Sequence, residues 1–284
     1  MQKILSSKYI GYIFIMPWIL GFAIFTAYPM IYSIYLSFNR VLFTADAIAT
    51  EPIGIENFVA ALSTDITFIR EIGSFSIVSM VSIPMIVILA LVIALLLNHP
   101  IKARGVFRTI FFMPVIISSG PVIDRLMDMG ITTLPTLQNY AFYTFLTMAD
   151  NIFATALVYV LDSIIMLLWF SGVQILVFLA GLTKVDKQVL EAARVDGAST
   201  WEIFWKITLP SLSALIIINL IYTTVMFAQT SLNPIIAHIS GNMFNINTGF
   251  GYASALAWLY FIVITLVMLV IVGLFALFGR KSLA

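Results

Sequence analysis

The chain has 284 residues, of which 62% are apolar and 10% charged, with a formal net charge of +1 and a mean hydropathy of +1.09. An ordinary soluble domain holds about 45–50% apolar and about 25% charged residues, so the apolar surplus has to face lipid. That excludes a soluble enzyme, a nucleic-acid binder and a disordered chain, and the absence of cysteine excludes a disulfide framework, a thiolate zinc site and an iron–sulfur cluster in this sequence.

Six stretches reach the roughly 20 mostly apolar residues that a spanning helix needs. The first, 10–37, holds no charge, and its apolar run is too long for a signal-peptide core, so a retained helix is expected. The second is 72–97. The third, 106–126, is the weakest, with Arg108 in its first turn and Gly120-Pro121 near its end. The fourth, 153–182, encloses one charge, Asp162, and the fifth is 211–230. The sixth, 252–279, is uncharged throughout. Between the first two spans a short helix is expected around Asn57–Leu62, and 127–150 is polar enough for an ordered loop or a short amphipathic helix. No linker, low-complexity segment or fixed-period repeat divides the chain. An all-α integral membrane bundle, one transmembrane domain over 1–284, is expected.

The basic residues set the orientation. The N-terminus, the second-to-third connection, the 184–210 loop and the tail together carry 11 of the 14 lysines and arginines, and the other side holds only Arg40, Arg70 and Arg125. Both termini and the 184–210 loop are therefore expected in the cytoplasm. The opposite loops carry an acidic rim that includes Glu51, Glu56, Asp65 and Glu71.

The 184–210 loop holds 8 of the 27 charges, four of each sign. Asp186 suits the N-cap of a first short helix with Val189, Ala192 and Ala193 at helical spacing. Gly197 breaks that helix and permits a positive φ. Ser199 with Glu202 fits a capping box for a second helix, on which Trp201, Phe204 and Trp205 share one face. Pro210 marks entry to the fifth span. The pattern describes a helical elbow with small residues at its bend. On the pattern alone, a partner's groove and the lipid headgroups are both open as what its aromatic face meets.

The elbow reads Glu191-Ala192-Ala193, then Gly197, Ile207 and Leu209-Pro210, and in every fixed position and both gaps it resembles the EAA motif of the permease subunits of binding-protein-dependent ABC importers. Surrounding segments are similar to the maltose-type, carbohydrate-importing branch: Pro17 and Tyr28-Pro29, Ile53-Gly54-Ile55-Glu56-Asn57-Phe58, Arg104 through Pro114, and Gly251-Tyr252-Ala253-Ser254-Ala255. One departure is Ser231–Asn242 in place of a glycine-rich turn after the fifth span. The resemblance implies a six-helix type I ABC importer transmembrane domain with a cytoplasmic coupling helix, lying in a bacterial cytoplasmic membrane. It implies four other subunits: a second permease subunit (more often a different chain), two ATPase subunits, and an extracytoplasmic solute-binding protein. Glu191, Ala192, Ala193, Asp196, Gly197 and Ala198 would couple to the ATPase, with Glu191 ion-paired to one of its basic residues. The chain has no G-x-x-x-x-G-K-[ST] loop, so ATP and Mg are expected on the ATPase, with no cofactor in this chain and no enzymatic activity of its own.

Polar groups at membrane depth are costly and often mark a pathway. Ser118, Asp162, Trp169, Phe170, Gln174, Asn219, Tyr222, Phe227, Gln229 and Thr230 are the candidates, since hydroxyl-rich sugars need hydrogen-bond partners and flat aromatic faces. Helix–helix bonding is the alternative for Tyr222 and Asn219, lipid contact for Trp169 and Phe170, and a bond to the second subunit for Asp162. His238 is expected to be solvated rather than a metal ligand. The function expected is import of a carbohydrate, an oligosaccharide first. A polyol or glycerol phosphate importer is the alternative, and a secondary transporter the alternative from another class.

Overall fold

The structure is a computed structural model, and it describes residues 7–43, 48–99, 105–106, 109, 140–149, 151–230, 233–245 and 248–281. In chain order the elements are α1 (Ser7–Phe22), a π-helical turn (Ala23–Ala27), α2 (Tyr28–Ser37), β1 (Asn39–Phe43), β2 (Ile48–Pro52), α3 (Glu56–Ser63) and α4 (Ile66–Asn98). There follow α5 (Ala141–Met148), α6 (Ile152–Phe170), α7 (Gly172–Leu182), α8 (Lys187–Val195), α9 (Thr200–Ile203), a second π-helical turn (Phe204–Thr208), α10 (Leu209–Ser211), α11 (Ser213–Ala228), α12 (Pro234–Met243) and α13 (Gly249–Lys281). The chain divides into two compact units, Met1–Gly73 with Pro234–Val263, and Ser74–Asn233 with Ile264–Ala284.

Both π turns have the same cause. Proline offers no N–H, and its ring collides with the carbonyl four residues back. Ahead of Pro29 the Tyr28 N–H reaches five residues back to the Ala23 carbonyl, and ahead of Pro210 the Leu209 N–H reaches the Phe204 carbonyl. The widened turn absorbs the misfit without ending the helix.

In the first unit, β1 and β2 pair antiparallel with Asn39 opposite Pro52 and Phe43 opposite Ile48. Gly54 turns the chain at φ +63° into α3, where the expected short helix lies. Asn57 Nδ2 donates to the Ser37 carbonyl at 2.9 Å and to the Asn39 carbonyl at 3.2 Å, which ties α3 to the join of α2 and β1. The start of α13 packs on the same join so closely that a Cβ on Gly251 would run into the Asn39 carbonyl oxygen. Trp258 Nε1 donates to Ser33 Oγ at 3.1 Å.

In the second unit, Asn151 caps α6 by accepting the Ala154 N–H at 2.7 Å. The expected fourth span is then broken by 63° between α6 and α7. Ser171 causes it. Its N–H and its hydroxyl both donate to the Leu168 carbonyl, at 3.1 and 2.8 Å, and Gly172 follows with little helical preference. A 64° bend likewise separates the 200–211 segment from α11. Ile86, Leu167 and Phe170 form a buried cluster with Met85, Leu89, Met166, Met226 and Phe227 against it.

Gly11–Ser37, Ile66–Asn98 and Gly249–Leu277 are long and apolar enough to cross a membrane, and counting each bent pair as one span raises the total to five among the described residues. The expected third span, 106–126, lies almost wholly outside the described residues, and Ser118 and most of the Arg104–Pro114 segment lie there too. The polar 127–150 segment is described from Tyr140 to Ala149 and contains the short helix α5.

Candidate functional site

The elbow is built almost entirely from bonds between near neighbours. Asp186 Oδ1 accepts the Gln188 N–H at 2.8 Å and starts α8. At the other end Gly197 takes φ +83°, the Gly197 N–H bonds the Arg194 carbonyl at 3.1 Å, and the Ala198 N–H bonds the Ala193 carbonyl at 2.9 Å. This is a Schellman closure, and a β-carbon at Gly197 would strain it. Ser199 then opens α9 with both halves of a capping box: its hydroxyl accepts the Glu202 N–H at 3.3 Å, and its own N–H donates to Glu202 Oε2 at 3.0 Å. Lys206 Nζ adds a 3.3 Å bond to Glu202 Oε1.

Glu191, Ala192, Asp196 and Gly197 are exposed, and Ala193 and Ala198 are half-buried. The six residues singled out for coupling therefore form one small-residue surface with a single carboxylate on α8 and another at the bend. Trp201 and Trp205 meet edge-on with ring centroids 5.5 Å apart, and Phe204 meets Trp205 at 5.2 Å. Ile203 is buried beneath them.

The pathway candidates separate into two groups. Gln174, Asn219 and Phe170 are buried inside the unit, while Tyr222 and Gln229 are exposed and Trp169, Phe227 and Thr230 half-buried. Gln174 Nε2 donates to Thr223 Oγ1 at 2.8 Å, joining α7 to α11. Asn219 lies one turn before Thr223 on α11. Both of its amide atoms, Gln174 Oε1 and Trp169 Nε1 are buried without a partner among the described residues. Buried polar groups are normally bonded, so this cluster carries unmet hydrogen-bonding capacity. Phe170 and Phe227 pack edge-to-face at 5.6 Å beside it.

Asp162 finds a partner within the chain. The Tyr143 hydroxyl, on α5, donates to its two carboxylate oxygens at 3.0 and 3.1 Å. That hydrogen bond holds the Tyr143 phenol above its ordinary range. No spacing in the sequence links residues 143 and 162; the polarity of the 127–150 segment was the one available signal.

A second constellation escaped sequence reasoning. Asp65 Oδ1 accepts the Phe68 N–H at 2.9 Å at the start of α4. Its Oδ2 meets His238 Nε2 and the Tyr252 hydroxyl, each at 2.8 Å. One carboxylate thus joins α4, α12 and α13. Burial raises the Asp65 pKa, but the Phe68 N–H and the bonds from His238 and Tyr252 outweigh it and hold the carboxyl below the usual range. His238, expected to be solvated, is a partly buried member of this knot, with its ring stacked on Phe68 at 6.1 Å. A polar pocket of about 580 Å³ opens beside it, lined by Arg40, Glu56, Asn57 and Thr67 among others.

Residues 58–282 match the family model described as the binding-protein-dependent transport system inner membrane component. Over 99% of its length the chain is 33% identical to the probable ABC transporter permease protein YesP of Bacillus subtilis, covering 92% of it. It is 28% identical to the multiple sugar-binding transport system permease protein MsmF of Streptococcus mutans, with 94% of each covered. Among solved structures, the fold is similar to a chain of a bacterial alginate ABC transporter crystallised with an alginate pentasaccharide-bound periplasmic protein. The TM-score is 0.64 at 20% identity, covering 95% of this chain and 94% of that one.

Proposed function

The chain belongs to the family of binding-protein-dependent transport system inner membrane components, and from that membership we propose that it is one permease half of an ATP-driven importer for a carbohydrate, an oligosaccharide in the first instance. It forms a single transmembrane domain of six membrane-crossing segments, the third being 106–126, with both termini and the elbow in the cytoplasm. A second permease half, two ATPase subunits and an extracytoplasmic solute-binding protein complete the importer. ATP and Mg are held by the ATPase subunits.

The observation that carries this reading is the elbow. Both of its helices are capped and its bend is closed by a Schellman turn, so it is stiff without help from elsewhere. A stiff element passes a displacement on, whereas a loose loop absorbs it. ATPase closure pushing on the Glu191–Ala198 surface would therefore be transmitted through the second π turn into α11, which carries Asn219 and Thr223. The Asn219 amide and Gln174 Oε1, unpartnered among the described residues, then supply the hydrogen bonds that sugar hydroxyls require once the permease halves separate, and Phe170 and Phe227 supply apolar ring faces. The sugar-importing relative supports the substrate class. An importer of a polyol or glycerol phosphate is the second reading, placed second because a cluster of uncharged groups gives a phosphate no counter-ion.

Uptake of labelled maltooligosaccharides and other oligosaccharides by cells carrying the whole importer tests the reading. Gly197→Asp and Glu191→Lys are each expected to abolish uptake with the protein still present in the membrane. Normal uptake by both overturns the coupling role. Because the chain has no cysteine, single cysteines at Lys187 and Glu51 report the orientation directly. Labelling from outside is expected at position 51 and not at 187.

A further inference from the structure

We propose that the apolar groove between α4, the elbow and α13 holds one acyl chain of a membrane phospholipid as a retained part of the permease. The groove has a volume of about 550 Å³ and lies entirely within the second compact unit. Along α4 it is lined by Met80, Val87, Leu91 and Leu95, and it is closed by Trp205 from the elbow and Leu274 from α13. None of the described residues that line it carries a charge or a hydroxyl group, so a hydroxyl-rich solute gains nothing there.

Length and width select the occupant. From Met80 to Leu95 is a rise of 15 steps, about 22 Å at 1.5 Å each, which is more than half of a hydrocarbon core about 30 Å thick. A groove of about 550 Å³ drawn out over that length is narrow. A protein helix, about 10–12 Å across with its side chains, cannot enter it and could only lay single side chains across its mouth; a single extended acyl chain fits within it. The flanks are Ile88, Val92 and Leu274, all well exposed, so the groove is continuous with an exposed apolar surface of α4 and α13.

The mouth suits a headgroup. Trp205 sits there as a half-exposed indole, the side chain that favours the level of the headgroups. Lys206 follows it, exposed and bonded to Glu202 at 3.3 Å. A cation at that depth attracts a lipid phosphate. A lipid seated here would brace the π turn of the elbow against α4. With the elbow in the cytoplasm, as proposed above, the lipid belongs to the cytoplasmic leaflet; its retention does not depend on that orientation.

The test uses the whole importer, assembled in vesicles of phosphatidylglycerol brominated at mid-chain, with Trp18, Trp169, Trp201 and Trp258 each replaced by Phe so that Trp205 is the one tryptophan left in this chain, and its emission is read as the difference from an importer in which Trp205 is replaced too. After exchange into unbrominated lipid, Trp205 is expected to stay quenched by at least half, whereas a protein keeping only Trp18, on the exposed first helix, recovers fully. Recovery of both to the same level overturns the proposal. Mass spectrometry of the intact, otherwise unaltered importer is expected to show a retained phospholipid that Leu91→Trp, filling the groove, removes; an adduct that survives the filling overturns it. So does a cross-link from a cysteine at Val92 to another protein segment, of this chain or of the second permease half.

Discussion

The elbow and the Asp65 knot are both small polar constructions, and they are held together in opposite ways. Every elbow bond named above joins residues no more than five apart, from Asp186–Gln188 to Ala193–Ala198. The knot joins residues 173 and 187 positions apart in the chain, His238 and Tyr252 to Asp65. An element closed by local bonds keeps its shape wherever it is moved, which suits a part that transmits force. An element closed by distant bonds exists only while three helices stay together, so it clamps them. Damage to the elbow should therefore appear in transport before stability, and damage to the knot in stability first.

Asp65→Ala is the severest test of that contrast. It strands His238 and Tyr252 and removes the cap at Phe68, at a cost of about 3 kcal/mol. Thermal unfolding of the detergent-solubilised importer should show it as a clearly lowered midpoint; an unchanged midpoint would mean that the knot is no clamp. Gly251→Val should cost about 2 kcal/mol by the same assay, because its Cβ meets a backbone carbonyl that cannot swing aside. Ser199→Ala removes one elbow cap at about 1 kcal/mol. Its signature should be a larger fractional loss of uptake than either Asp65→Ala or Gly251→Val shows at equal amounts of folded protein.

Acid should act on the knot in a defined direction. The Asp65 carboxyl is held below its ordinary value of 3.8 in the folded protein, so its contribution is complete above that value and fades as the pH falls through the lowered one. Midpoints of the parent and Asp65→Asn proteins should converge on acidification below pH 3.8; a constant gap would place the stabilisation elsewhere. The smallest effect is expected from Lys206→Ala, which removes an exposed i,i+4 pair and should leave the midpoint unchanged within error.

The elbow was legible residue by residue because caps, Schellman turns and boxes are written within a few positions. Asp186, Gly197, Ser199 and Glu202 each do what their spacing announces. The bend in the expected fourth span was not legible. Ser171-Gly172 looked like one polar and one small residue in an apolar run, and only the back-bond to Leu168 converts them into a bend. The pathway candidates were found as polar groups on apolar helices, but burial separated them. Gln174 and Asn219 turned inward, Tyr222 and Gln229 outward, a difference of helix rotation that composition does not carry.

The amino-acid sequence alone determined that the chain lives in a membrane, where its apolar runs lie, and the internal geometry of the charged 184–210 loop, because hydrophobic length and capping are local quantities. Only the tertiary structure decided which buried polar groups are paired. It gave Asp162 to Tyr143, Gln174 to Thr223 and Asp65 to His238 and Tyr252. A polar group taken out of water is costly until another meets it, and which one meets it depends on how segments far apart in the chain come to lie side by side.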